Sequence, residues 1–183
     1  MGRLLTLKCV HPSRAPAGVK LEAKVGLDAS TLAIDFQVHT PRIHFNPEWP
    51  LDHSRWGLWD QGDVIELFLA TGDIVKDGYF EFQVSPRNQF FTLHILEPRK
   101  RHDEKRPMPF VHTSHWDERH GLWTAKLEIP LGDYGWQGDQ DSIRGGLFAM
   151  LGESGSRTYW SAFLPHQEKP DFHLPGHFQR LIS

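Results

Sequence analysis

Apolar and polar residues alternate along much of this chain. In "TLAIDFQVH" (residues 31–39), Leu32, Ile34, Phe36 and Val38 fall on one side while Asp35 and Gln37 fall on the other. That is the period-two signature of a half-buried β-strand. Runs of similar length and composition recur as "LLTLKCV", "VKLEAKV", "DVIELFLA", "YFEFQVS", "QFFTLHILE", "GLWTAKLEIP", "GGLFAML" and "RTYWSAF". The segments "DAS", "TGDIVKDG", "SPRN" and "ERHG" between them carry turn residues. "GYFEFQVSPRNQFFTLHI" predicts a hairpin turning at residues 86–88, and "PLGDYGW" predicts one helical turn. No long helical period is present. Nine or ten short strands predict an all-β, antiparallel β-sandwich or jelly roll, with residues 1–183 forming one domain without repeats or low-complexity linkers.

Parity assigns side chains to faces. Ile65, Leu67 and Leu69 share one face of their strand, and Val64, Glu66 and Phe68 the other. In the next strand Phe80, Phe82 and Val84 oppose Tyr79, Glu81, Gln83 and Ser85. In the third, the apolar set Phe91, Leu93 and Ile95 is expected to face the core, leaving Phe90, Thr92 and His94 outward. If these strands are neighbours, the outward face mixes carboxylates and amides with aromatic rings. That mixture suits sugar recognition, because rings stack on the C–H face of a pyranose and carboxylates fix its hydroxyls. A half-exposed sheet face with scattered polar residues has the same pattern.

Composition narrows the classes. Seven Trp and twelve Phe require either an aromatic β core or a stacking surface. The formal net charge is −3 and no basic half stands out, which argues against a nucleic-acid partner. No run approaches membrane-spanning length. Cys9 is the sole cysteine, so no internal disulfide forms, and the apolar run near the start is too short for a signal peptide. The expected location is the cytoplasm, or outside the cell if a leader precedes the chain.

Several chemistries compete. Glu66 and Glu81 resemble the carboxylate pair of a glycosidase, but isolated strand carboxylates are common and the expected answer is no catalysis. No nucleophile elbow, phosphate loop, zinc-protease helix or dinucleotide fingerprint is present. His112 with His115, and His173 with His177, are pairs rather than zinc-ligand sets. Asp60 and Asp63 are weak calcium candidates. The mixed-charge run "EPRKRHDEKRP" (97–107) is expected to be a solvated loop. Residues 41–52 and "PHQEKPDFHLPGHF" (165–178) form long loops, where binding concentrates on a β scaffold. In the second of these, Asp171 is placed to cap a turn, and Phe172 and Phe178 to plug the end of the sandwich.

Four blocks carry a family resemblance: "LKCVHPSRAPAGVKLEAKV", "RWGLWDQGDVIELFLA", "GYFEFQVSPRNQF" and "RTYWSAFLPHQEKPDFHLPGHF". In this order they resemble the bacterial DOMON-like proteins related to carbohydrate-binding module family 9. The resemblance implies a jelly-roll sandwich that binds a mono- or oligosaccharide without catalysis. It implies a terminal sugar held between two tryptophans, Trp59 (with Trp56 as the near alternative) and Trp160, with Glu66 as a polar anchor and calcium as a structural ion. Sugar-binding members place Arg and Asn on the strand before "YWS", where this chain reads "LFAMLGES". The DOMON relatives imply a different use, haem held between Met150 and His94 or His173, which is the less expected cofactor. A third reading is a structural or interaction domain whose aromatic residues are all core.

Overall fold

The computed structural model describes residues 2–12, 14–50 and 56–182. The end of the 41–52 loop and Arg55, at the head of the "RWGLWDQGDVIELFLA" block, lie outside the described residues. Twelve strands are described: β1 (Arg3–His11), β2 (Lys20–Asp28), β3 (Thr31–His39), β4 (Val64–Ala70), β5 (Tyr79–Val84), β6 (Phe90–Glu97), β7 (Arg101–Asp103), β8 (Val111–Asp117), β9 (Leu122–Pro130), β10 (Arg144–Leu151), β11 (Thr158–Ser161) and β12 (Gln179–Arg180). Two single-turn helices, α1 (Leu58–Gln61) and α2 (Ile74–Asp77), precede β4 and β5. The predicted turn in "PLGDYGW" is a 3-10 turn over Leu131–Tyr134.

All the pairings are antiparallel, in the order β7-β6-β5-β4-β10-β11-β1-β2-β3-β9-β8, with β12 on β10. Strand β1 makes this path a sandwich. Its Arg3–Leu7 half pairs with β2, and its second half, after Leu7, pairs with β11 across an irregularity between Cys9 and His11. The path therefore folds over at β1 into two layers. Between the layers lie Leu21, Ile34, Phe36, Trp123, Leu127, Ile65, Leu67, Phe82, Leu147 and Trp160, all buried. Each such side chain contributes roughly 1.5–3 kcal/mol through burial.

The β4–β5–β6–β10–β11 layer carries a second apolar set on its other face: Val64, Phe68, Tyr79, Phe91, Leu93, Ile95, Phe148 and Met150. The C-terminal strap, residues 164–178, covers part of that face. The ring of Phe172 stacks on Phe148 at 4.5 Å, and His173 stacks on Phe68 at 5.0 Å. Phe178 meets Tyr79 edge to face. Phe172 and Phe178 thus cover a sheet face rather than plugging the end of the sandwich.

This second face corrects two expectations. The register of β5 on β6 sets Gln83, Glu81 and Tyr79 opposite Phe91, Leu93 and Ile95, so the apolar set of β6 shares a face with the carboxylates. His94 instead points between the layers, stacked on Phe80 at 4.5 Å. A layer with two apolar faces defeats alternation as a guide to which face is the core. The 97–107 run is also no free loop: Arg101–Asp103 forms the edge strand β7.

Candidate functional site

The uncovered part of the second face is a cavity of about 350 Å³. Its floor is built by β4 and β5. Glu66 sits across the ladder from Gln83, and Phe68 across from Glu81. Gln83 Nε2 donates to Glu81 Oε1 at 2.6 Å and to Glu66 Oε1 at 3.2 Å. All three side chains are buried, and neither carboxyl has an ion-pair partner among the described residues. Loss of water therefore dominates their titration. Burial pushes Glu66 well above the ordinary carboxylate range, reinforced by the charge of Glu81. Burial likewise pushes Glu81 up to about 7, partly offset by the Gln83 hydrogen bond.

One wall is aromatic. Trp56, Trp59 and Phe91 contact one another edge to face, with centroids 5.2–5.6 Å apart. Trp56 is 54% exposed, so a ring face remains open to a ligand. Trp59 lies on α1, whose turn is held from outside: Arg157 donates to the carbonyls of Trp59, Asp60 and Gly152. Leu58 on the same turn is buried and fixes its orientation. The β6–β7 hairpin adds Glu97, Arg99, Arg101 and His102, and His102 lies 5.7 Å from Trp56.

The strap closes the opposite side. Asp171 caps it by accepting from the His173 N–H at 2.9 Å, as expected from the sequence, and pairs with Arg99 at 2.5 Å. His173 Nδ1 and the Tyr79 hydroxyl are hydrogen-bonded at 2.8 Å. Burial holds the His173 imidazole below its ordinary value, so it stays neutral near pH 7. Gln167 ties the strap to the scaffold, its N–H donating to the Val10 carbonyl at 2.9 Å.

Trp56, Trp59, Glu66 and Glu81 therefore converge. Trp160 does not. It is 3% exposed between the layers, and its Nε1 donates to Thr158 Oγ1 at 2.9 Å. Met150 pairs with Tyr159 and Ala149 with Trp160, so alternation along β11 sends Tyr159 to the cavity and the tryptophan to the core. A sandwich of Trp59 and Trp160 around one sugar is ruled out by that parity. Parity groups Gln83 with the two acids but not as the hub of their floor, and it misses Tyr159 and the hairpin residues. The alternation of "YFEFQVS" and "TYWS" carried the signal for Gln83 and Tyr159.

Asp63 has a scaffold role in this structure. It is 1% exposed, and its carboxylate accepts the Gly152 N–H at 2.7 Å and the His44 N–H at 2.9 Å. These bonds join the 41–50 loop to the β10–β11 turn. Asp60 faces that same turn from outside, apart from the cavity. Among the described residues no three His, Cys, Asp or Glu side chains gather as a metal-ligand cluster. Of the haem candidates, Met150 and His173 line the cavity and His94 does not.

The fold defined by these strands is an antiparallel β-sandwich of the type found in carbohydrate-binding modules. More particularly, it is the fold of carbohydrate-binding module family 9. A family 9 module from Caldicellulosiruptor kristjanssonii in complex with glucose superimposes with a TM-score of 0.60 at 13% identity, over 97% of this chain and 80% of that one. The cellotriose complex gives 0.59 at 12%, over 99% and 79%. A Bacteroides uniformis protein proposed to bind carbohydrate gives 0.70 at 16%, over 97% and 84%. In sequence, the chain is 23% identical over 171 residues to a protein of Arthroderma benhamiae described as an extracellular protein, covering 85% of this chain and 74% of that one. No protein-family model matches.

Proposed function

We propose that this protein is a non-catalytic carbohydrate-binding module whose ligand is a mono- or short oligosaccharide held in the cavity. The observation that carries this reading is the junction of the Trp56–Trp59–Phe91 wall with the Glu66–Gln83–Glu81 floor in one cavity of about 350 Å³. An apolar wall with a few convergent polar groups is what a pyranose needs, since its C–H face stacks while its edge is hydrogen-bonded. The sugar complexes of the two family 9 structures support the same reading. Binding is favoured over hydrolysis because Glu66 and Glu81 lie side by side on the floor and share one amide. Glycoside hydrolysis requires two carboxyl groups that flank the scissile bond. The stacking partner proposed here is the Trp56–Trp59 pair, in place of the Trp160 expected from the resemblance.

Isothermal titration calorimetry with glucose, cellobiose and cellotriose tests the reading. The expected result is saturable binding that Trp59→Ala and Trp56→Ala weaken. No heat with any of these sugars or with a wider glycan array, for protein shown to be folded, overturns it.

A further inference from the structure

The cavity floor has an excess of hydrogen-bond acceptors. Gln83 Nε2 spends both of its N–H bonds on Glu66 and Glu81. Gln83 Oε1, on a side chain only 2% exposed, has no donor among the described residues. Two carboxyl groups and one amide carbonyl thus line the same floor, and among the described residues no Lys or Arg forms an ion pair with either acid. Among the described residues, each cation nearer the mouth has an acidic neighbour. Arg99 pairs with Asp171, Lys100 with Glu97 and His102 with Glu104, and Arg101 acts on Glu97. The remaining ionisable groups facing the floor, Tyr79 and His173, are bonded to each other.

A hydroxyl brings one donor to such a floor and no charge. A primary ammonium brings three donors and the positive charge that two buried carboxylates lack, and aromatic walls favour a cation further. Resting on the saccharide reading above, we infer that the preferred ligand is an amino sugar whose ammonium sits on the Glu66–Gln83–Glu81 floor while its ring lies against the Trp56–Trp59 wall. On binding, one floor carboxyl group ionises and pairs with the ammonium, its proton passes to solvent, and the other carboxyl group and the Gln83 carbonyl accept the remaining ammonium N–H bonds. N-acetylation removes the charge and two of the three donors, so the acetylated sugar loses this advantage.

The test is calorimetry on the whole protein at about pH 6.5, where a primary amine is protonated, with glucosamine, glucose, N-acetylglucosamine and methylammonium chloride. Glucosamine is expected to bind about tenfold or more tighter than glucose, with N-acetylglucosamine no better than glucose. Titrations in two buffers of different ionisation enthalpy are expected to reveal proton release with glucosamine only. In Glu66→Gln and Glu81→Gln the ratio of glucosamine to glucose affinity is expected to fall toward one, whatever the absolute affinities. The wild-type comparison decides the question even if a variant fails to fold. Glucose binding as tightly as glucosamine, or methylammonium alone matching glucosamine, overturns the inference. Glucose binding without that preference leaves the saccharide reading standing, whereas no sugar binding at all overturns both.

Discussion

Glu66 stands directly across the β4–β5 ladder from Gln83, and that amide joins it to Glu81, with bonds of 3.2 and 2.6 Å. Two acids are thereby buried together with a neutral partner. Because Glu81 is raised from its ordinary 4.5 to about 7, the folded chain holds its proton more tightly than the unfolded chain does. The contribution of Glu81 to stability is therefore fully present below pH 4.5, declines as pH climbs toward about 7, and levels off above it. The raised Glu66 adds loss in the same direction. Glu81→Gln should flatten this profile, recovering roughly 3 kcal/mol at alkaline pH while changing little in acid. Thermal melts of both proteins across pH check it, and parallel profiles would contradict the burial argument.

The tryptophans divide by location, and so should their mutants. Trp59→Ala and Trp56→Ala remove the open wall and should weaken sugar binding roughly 10- to 100-fold, with a modest effect on folding. Trp160→Phe leaves a gap between the layers and deprives Thr158 Oγ1 of the indole N–H. It should cost about 1–3 kcal/mol of stability and leave the affinity of the folded fraction near wild type. Calorimetry paired with chemical denaturation separates the two classes.

Much of this arrangement was legible in the alternation of the chain. The strands β4 and β5 carry their faces plainly, so parity alone groups Glu66, Glu81 and Gln83. The strand β6 was not legible, because Phe90 and Phe91 begin both of its faces with aromatic residues. Which face met the inter-layer core depended on Trp56 and Trp59, which cover Phe91 from far away in sequence. Long-range covering also hid the role of Trp160. Its neighbour Tyr159 faces the strap, and no local signal distinguishes an aromatic residue beneath a strap from one between sheets. The three-residue strand β7 was too short and too charged to announce itself, yet its hairpin forms a cavity wall.

The Arg99–Asp171 pair links that hairpin to the strap across the mouth of the cavity. Arg99 is 62% exposed, so the pair is solvent-screened and contributes at most about 1 kcal/mol to stability. Its effect should appear in ligand kinetics instead. Arg99→Gln frees the strap to move and should raise the dissociation rate several-fold while leaving the melting temperature nearly unchanged. Stopped-flow tryptophan fluorescence measures the first quantity and a thermal melt the second. An unchanged dissociation rate would mean that the ion pair does not gate exit.

Gly146 tests how far the strap depends on the sheet beneath it. It lies on the cavity-side face of β10, opposite Phe68. A methyl group there would come within 2.3 Å of Cζ of Phe148, too close for any carbon contact. The Phe148 ring must then turn, and its stack on Phe172 at 4.5 Å is the aromatic contact that seats the centre of the strap. Overpacking of this kind costs about 1–3 kcal/mol. Gly146→Ala should therefore lower the melting temperature, expose residues 165–178 to limited proteolysis, and weaken ligand binding, because Phe172 and His173 line the cavity. Gly26, where an added methyl meets nothing within 4 Å, is the control. Gly26→Ala should leave proteolysis of the strap unchanged. If Gly146→Ala destabilises the protein yet leaves strap cleavage at the wild-type rate, the Phe148–Phe172 stack is not what holds the strap.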